Sequence, residues 1–141
     1  MNTKLFSRQI GAIGKDTMNK LIDINVLVIG ENAIALECIK CLSLLGINSI
    51  NLLIEENNIN TKYIKNKFYI DTDTDKISLL FENLIKSLNS NVSVKVVNNY
   101  IDFNYDAIIL TNIQNNINIL EVEKHCLLKN IKFLMGYNHN L

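Results

Sequence analysis

The chain has 141 residues, of which 48% are hydrophobic and 20% are charged, and its formal net charge is zero. That length predicts a single domain over residues 1–141. The balanced charge gives no bias toward nucleic acid or an anionic membrane, and no apolar run reaches transmembrane length, so neither is expected as a partner. The N-terminus lacks the apolar core of a signal peptide, and three cysteines are too few for a disulfide framework. A reducing compartment, cytoplasm or nucleus, is expected.

The first part of the chain predicts a short helical segment followed by a strand and a helix. Residues 7–22 carry apolar side chains broken by two glycines, which indicates one or two short helices. Residues 25–30 form a continuous apolar run that ends in glycine, as in a strand covered on both faces. Residues 32–45 follow with helical spacing, and Gly46 is placed to end that helix.

The remaining chain continues this alternation of strands and helices. Further strands are predicted over residues 49–54, 92–96, 106–111 and 131–135, and further helices over residues 75–88 and about 115–128. Thr74 or Asp75 is a suitable N-cap for the helix over residues 75–88. Strands that alternate with helices indicate a three-layer, Rossmann-like α/β fold with a parallel sheet, and right-handed crossovers give the strand order 3-2-1-4-5.

The turn after the first strand lacks the glycines of a nucleotide-binding Rossmann unit. Those glycines allow a tight turn and let the backbone amides approach phosphate. The turn here contains Gly30, Glu31, Asn32, Ala33 and, in the third glycine position, Ala35. Asn32 and Ala33 bring side-chain carbon to the phosphate position, and Glu31 adds negative charge. We therefore interpret the turn as degenerate, with no cofactor bound in cis; a residual nucleotide site is the alternative.

Two acidic residues follow the second predicted strand. Glu55 and Glu56 stand where a carboxylate would meet a ribose hydroxyl in a dinucleotide site. Because the neighbouring phosphate turn is degenerate, we interpret both residues as solvated loop acids.

Six short motifs, spread over nearly the whole chain, carry a family resemblance. They are Phe6-Ser7-Arg8-Gln9-Ile10, Val26-Leu27-Val28-Ile29-Gly30, Lys67-Phe68-Tyr69-Ile70, Leu88-Asn89-Ser90-Asn91-Val92, Ile109-Leu110-Thr111-Asn112 and Asn130-Ile131-Lys132-Phe133. In this order they resemble the adenylation fold of the ubiquitin-activating enzymes. That family carries an active and an inactive copy of the fold, paired about a pseudo-two-fold axis, and this chain resembles the inactive copy.

The resemblance implies a non-catalytic half of an enzyme that activates ubiquitin or a ubiquitin-like protein. Active copies carry a magnesium-binding Asp where Thr111 stands, and an Arg in a stretch that reads Ile-Lys-Asn-Lys here, at residues 64–67. ATP and magnesium would then lie in the site of a catalytic adenylation partner, and the modifier would be bound through the complex. Both the N-terminal half of a ubiquitin-activating enzyme and the small subunit of a SUMO-activating heterodimer are similar to this chain. Because both continue past Tyr137, the chain is expected to be truncated relative to them.

Arg8 is the one residue to which the resemblance gives a catalytic role. In the family, the Arg of the Arg-Gln pair reaches across the dimer to the ATP bound by the active partner. A permanently charged guanidinium can bind a polyphosphate and stabilise the departing pyrophosphate. A surface ion pair is the alternative for Arg8.

Two rival functions and several weaker motifs remain. A stand-alone adenylyltransferase acting on a sulfur-carrier protein would need the missing glycines and Asp, and a dinucleotide-binding module is the other rival.

Cys38 and Cys41 form a C-x-x-C pair, but with no second pair we interpret them as small buried core thiols. His125 is expected to be exposed and Cys126 to serve packing or the surface. The acidic run at residues 71–75 is interpreted as a helix-entry loop, not a calcium loop, and no metal site is predicted.

Overall fold

The computed structural model describes residues 1–56, 65–66, 74–112 and 117–136. The order of elements is α1 (Ser7–Ile13), α2 (Lys15–Leu21), β1 (Asn25–Ile29), α3 (Ala33–Leu45), β2 (Ser49–Leu53), α4 (Ile77–Leu88), β3 (Ser93–Val96), β4 (Ala107–Leu110), α5 (Ile119–Lys129) and β5 (Lys132–Met135). The predicted alternation and the N-terminal helical segment are confirmed. The motif at residues 67–70 and the acidic residues 71–73 lie outside the described residues.

The strands form a parallel sheet in the order β3-β2-β1-β4-β5, as predicted. In the centre of the sheet, Ile29 pairs with Leu53 of β2 and with Leu110 of β4. The carboxyl ends of these three strands therefore meet at one edge. In open parallel sheets, ligands bind outside this edge, where the strand order reverses.

Two apolar clusters cover the two faces of the sheet. Val26 and Val28 of β1 belong to the cluster that includes the buried residues of α3 and α4, whereas Leu27 and Ile29 belong to the cluster that includes those of α5. Successive side chains of a strand point to opposite faces, so β1 is covered on both sides. This arrangement gives the three layers that the apolar runs predict.

The ends of α3 follow its sequence signals. The Asn32 side chain accepts a hydrogen bond from the Ala35 backbone N–H at 3.0 Å, which satisfies one of the free amides of the first turn. Gly46 ends the helix with a φ of 78°, a left-handed conformation that favours glycine. The predicted start and end of this helix are confirmed to within one residue.

The start of α4 differs from the prediction. Lys76 is the N-cap residue and supplies no side-chain bond, so neither Thr74 nor Asp75 caps the helix. Instead the Glu56 carboxylate accepts hydrogen bonds from the Ile77 backbone N–H, at 3.0 Å, and from the Ser78 hydroxyl. Glu56 is exposed, in agreement with its interpretation as a solvated acid. It also has a structural role that the sequence did not predict, because the chain folds back so that its charge meets the positive end of the helix dipole.

The N-terminal segment lies at the amino end of the sheet, where α3 ends. Phe6 is buried, and a Cβ added at Gly46 would lie 2.6 Å from its ring. The side-chain amide of Gln9 donates a hydrogen bond to the Leu44 carbonyl at 3.1 Å. These contacts hold α1 against the last turn of α3 and thereby set the position of Arg8. Among the described residues, no helix is long and apolar enough to cross a membrane.

Candidate functional site at the strand exits

Gly30, at the end of β1, has a backbone conformation and close neighbours that leave no space for a side chain. Its φ is 124°, a conformation that side-chain-bearing residues rarely adopt. A Cβ at this position would overlap Thr111 Oγ1 and would lie 3.1 Å from the backbone nitrogen of Asn112. Thr111 is fully buried and its hydroxyl donates a hydrogen bond to the Ile29 carbonyl at 3.0 Å. The single remaining glycine of the turn is therefore required by the packing of the residues that follow β4.

Both polar atoms of the Asn32 side-chain amide form hydrogen bonds within the protein. Its oxygen accepts from the Ala35 amide, and its Nδ2 donates to the Thr111 carbonyl. An anion bound at the start of α3 would need such first-turn amides as donors. The Ala35 amide already donates to the Asn32 side chain. That side chain is held in place by its hydrogen bond to the Thr111 carbonyl, directly after β4. Ala33, the next residue, is exposed.

Glu31 joins the ends of the three central strands. Its side chain is only 3% exposed, and its Oε1 accepts a hydrogen bond from Asn112 Nδ2 at 2.8 Å. The Glu55 backbone N–H donates to its Oε2 at 3.5 Å. A carboxylate thus lies inside the edge at which a Rossmann fold receives its ligand. We refer to Glu31, Asn32, Glu55, Thr111 and Asn112 as the strand-exit network.

Four of the five members of this network, Glu31, Asn32, Glu55 and Thr111, were singled out from the sequence, but their contacts with one another were not predicted. The role of Asn112 was missed, because its hydrogen bond to Glu31 spans 81 positions of sequence. The available signal was the polar pair Thr111-Asn112 directly after a buried strand, since the ends of β1 and β4 adjoin in the predicted order. In the described part of the chain, no group of three or more His, Cys, Asp or Glu side chains could hold a metal ion.

Arg8 does not belong to the strand-exit network. It is exposed on α1, beside a groove of about 530 Å³ that Lys4, Leu5 and Leu44 also line. This groove lies where α3 ends, whereas the network lies where α3 begins, and a 13-residue helix is about 20 Å long. No carboxylate of the described residues lies within ion-pair distance of Arg8.

The cysteines differ from their predicted role as core thiols. Cys41 is exposed and Cys38 is only partly buried, so the interpretation is wrong for Cys41 and holds only in part for Cys38. Burial, together with the nearby Cys41 and Glu37, raises the pKa of the Cys38 thiol, which disfavours a reactive thiolate. Cys126 is buried in the cluster beneath α5, which agrees with a packing role.

His125 is also placed differently from the prediction. It is partly buried, and its ring contacts Tyr100 edge-on with the ring centroids 5.5 Å apart. This contact gives His125 a role in holding the loop before β4 against α5.

Comparisons with known proteins place this geometry in context. The chain is 30% identical, over 116 aligned residues, to a ubiquitin-activating enzyme E1 of Candida albicans (strain WO-1), in an alignment that covers 77% of this chain and 11% of that protein. It is 27% identical to SUMO-activating enzyme subunit 1 of Dictyostelium discoideum, over 98% of this chain and 44% of that protein. The chain belongs to a ubiquitin-activating-enzyme-like family. It thus spans less than half the length of these relatives, and no protein-family model matches it.

Solved structures share the fold of this ubiquitin-activating-enzyme-like chain. Escherichia coli MccB superposes with a TM-score of 0.77 over 99% of this chain and 43% of MccB, at 19% identity. The E. coli tRNA N6-threonylcarbamoyladenosine dehydratase TcdA, in complex with ATP, gives 0.75 over 94% of this chain and 58% of TcdA, at 14% identity. The Rossmann-like fold is confirmed by these neighbours, and the family relationship supports an adenylation-type module.

Proposed function

We propose that this chain is a non-catalytic adenylation module. It pairs with a catalytic adenylation domain or subunit and supports the ATP-dependent adenylation of the C-terminus of ubiquitin or a ubiquitin-like protein. ATP and magnesium are then held by the partner. The observation that carries the proposal is the strand-exit network, because the chain's own carboxylate and amide side chains lie at the edge where a nucleotide would bind.

The energetics of that edge oppose a triphosphate. A phosphate charge about 4 Å from the Glu31 carboxylate would be repelled by on the order of 4 kcal/mol at the effective dielectric of a partly buried site. Moving Glu31 aside would leave the Asn112 side-chain amide and the Glu55 backbone N–H without their acceptor. A fully buried donor left without a partner costs about 1–3 kcal/mol, and these two partly buried donors would each cost up to about the lower end of that range. Binding of a triphosphate would therefore have to overcome both the repulsion by Glu31 and the loss of its hydrogen bonds.

The proposal is tested by ATP–pyrophosphate exchange on the isolated chain with ubiquitin or SUMO present. We expect no exchange above background from the chain alone, and exchange once the catalytic partner is added. Calorimetry on the chain alone is expected to detect no saturable ATP binding. Robust exchange without a partner would overturn the proposal.

A stand-alone adenylyltransferase that acts on a sulfur-carrier protein is compatible with the same fold and family. The exchange experiment distinguishes it, because that enzyme would work alone once its carrier protein replaced ubiquitin. A dinucleotide-binding module is the remaining alternative, and tight NAD binding by calorimetry would support it.

Arg8 is the residue that we propose acts in trans on the partner's ATP. Its guanidinium is exposed, has no carboxylate partner among the described residues, and lies at the opposite end of α3 from the strand-exit network of the same chain. It is therefore free to contact a polyphosphate on another chain, where its charge would stabilise the leaving pyrophosphate.

Arg8→Ala is expected to slow modifier adenylation in the reconstituted complex by about a hundredfold, the typical loss when one transition-state donor is removed. Association with the partner should be unchanged. Single-turnover adenylation measures the rate, and Lys4→Ala, which removes another cation from the same groove, is the matched control. An Arg8→Ala complex that adenylates at the unmodified rate would exclude the trans role.

A further inference from the structure

We infer that Cys38 and Cys41, on the outer side of α3, form a two-thiolate binding site for the soft monovalent cation Cu(I). This site lies outside the strand-exit network and the Arg8 groove, and it is independent of the proposed function. It rests on the exposure of the two thiols, on their spacing along the helix and on the number of ligands that the described residues bring together.

Solvent can reach both thiols of this pair. Cys41 is exposed and Cys38 is partly buried, whereas Leu36 and Ile39 of the same helix are buried. The two thiols are close enough for a charge on Cys41 to act on Cys38. The remaining cysteine, Cys126, is buried in the cluster on the opposite face of the sheet. The pair on α3 therefore contains every thiol of the chain that an ion in solution can contact.

The helical spacing of the pair favours a bridging cation over a disulfide. Residues three apart on a helix have Cβ atoms about 5–6 Å apart. A disulfide needs Cβ atoms about 3.5–4.5 Å apart and sulfur atoms about 2.05 Å apart. A thiolate lies about 2.3 Å from a bound d10 cation, so two such bonds in line hold the sulfur atoms about 4.6 Å apart. The pair can thus bind a cation while α3 stays a regular helix, whereas a disulfide would distort it.

The small number of ligands selects the kind of cation. Within the described ranges of the chain, no three His, Cys, Asp or Glu side chains are grouped so that they could hold a metal ion. Zinc sites normally have three or four protein ligands, and calcium and magnesium prefer oxygen. Thiolates prefer soft cations, among which Cu(I) is stable with two sulfur ligands in line. The one carboxylate of α3, that of Glu37, is a hard ligand and pairs with Lys40 at 3.3 Å.

Binding exchanges two protons for one cation. Each thiol releases its proton, and two sulfur–copper bonds form in place of the two sulfur–hydrogen bonds. No electron is transferred, so copper stays in its monovalent state and neither sulfur atom is oxidised. The bound unit of one Cu(I) and two thiolates carries one net negative charge.

Competition for Cu(I) against the chromophoric chelator bicinchoninate, under anaerobic reducing conditions, tests the site. We expect the unmodified chain to bind one Cu(I), and X-ray absorption of the loaded chain to show two sulfur ligands. Cys41→Ser and Cys38→Ser should each weaken binding by at least about a hundredfold, because holding two ligands on one scaffold strengthens binding by that factor or more. Cys126→Ala is the control and should leave the affinity for Cu(I) unchanged.

A double variant separates the spacing of the thiols from their number. Lys40→Cys combined with Cys41→Ser keeps two cysteines on α3 but places them two residues apart, where they do not face each other. It also removes the ion pair with Glu37, which is exposed and contributes little to stability. This variant should bind Cu(I) as weakly as Cys41→Ser alone. The inference is overturned if it binds as tightly as the unmodified chain, or if Cys41→Ser loses no affinity.

Discussion

Gly30→Ala is expected to destabilise the domain by about 3 kcal/mol or more. The added Cβ would overlap the Thr111 hydroxyl oxygen and crowd the backbone of Asn112, neither of which is the far end of a flexible side chain. The φ of 124° adds a conformational penalty for any side-chain-bearing residue. Because Thr111 is fully buried directly after β4 and its hydroxyl is hydrogen-bonded to Ile29 of β1, the ends of these strands would have to shift to admit a methyl group.

Urea denaturation followed by circular dichroism measures this loss. Gly11→Ala is the matched control, since a Cβ at Gly11 meets nothing within 4 Å and the residue lies inside α1. Alanine is the better helix former there, so the control should be neutral or up to about 1 kcal/mol more stable. A Gly30→Ala protein as stable as the control would show that the strand exit is looser than its contacts indicate.

The Gly30 result bears on how the turn is read from sequence. A glycine after the first Rossmann strand is commonly taken as a sign of a phosphate site, because phosphate needs close approach to the backbone. In this chain the close approach is made by Thr111 and Asn112 instead. The presence of Gly30 is therefore explained by protein packing and does not by itself indicate a nucleotide site. The buried carboxylate of Glu31 is the more informative feature of this turn.

The strand order could be predicted from the sequence because it depends on local patterns. Each strand is a short apolar run, each helix has apolar spacing of its own, and the right-handed crossover rule then fixes the order. The ends of α3 were equally local, since Asn32 and Gly46 each act on a neighbouring turn. Such features require no knowledge of which distant residues meet.

The contacts of the candidate site could not be predicted in the same way, because distant segments make them. The carboxylate of Glu56 caps a helix 21 positions away, and that of Glu31 meets Asn112 across 81. An acid in a polar stretch has the same local pattern whether it is solvated or bound. The two cases can be distinguished only once β1, β2 and β4 are known to meet at one edge of the sheet. The position of Arg8 depends on the fold in the same way, because α1 is held at the opposite end of α3.

Phe81→Ala is expected to destabilise the domain by about 3–5 kcal/mol, the usual range for a fully buried phenylalanine. Phe81 is 0% exposed and belongs to the cluster that joins α4 to α3 and to β1 and β2. Removing its ring leaves a cavity where side chains of α3, α4 and the sheet meet, and the surrounding backbone can collapse only in part. Thermal and urea unfolding measure the loss, and Leu79→Ala on the same helix is the control.

Leu79 is 41% exposed, so its truncation should change the free energy of unfolding by less than about 1 kcal/mol.

The Phe81→Ala variant also tests how the two ends of α3 are linked, because α4 packs along α3. At one end α3 carries Asn32 of the strand-exit network, and at the other it accepts the hydrogen bond from Gln9 beside Arg8. If Phe81→Ala costs no more than the control, α3 is held by its caps and by the sheet alone, and the position of Arg8 would not depend on α4.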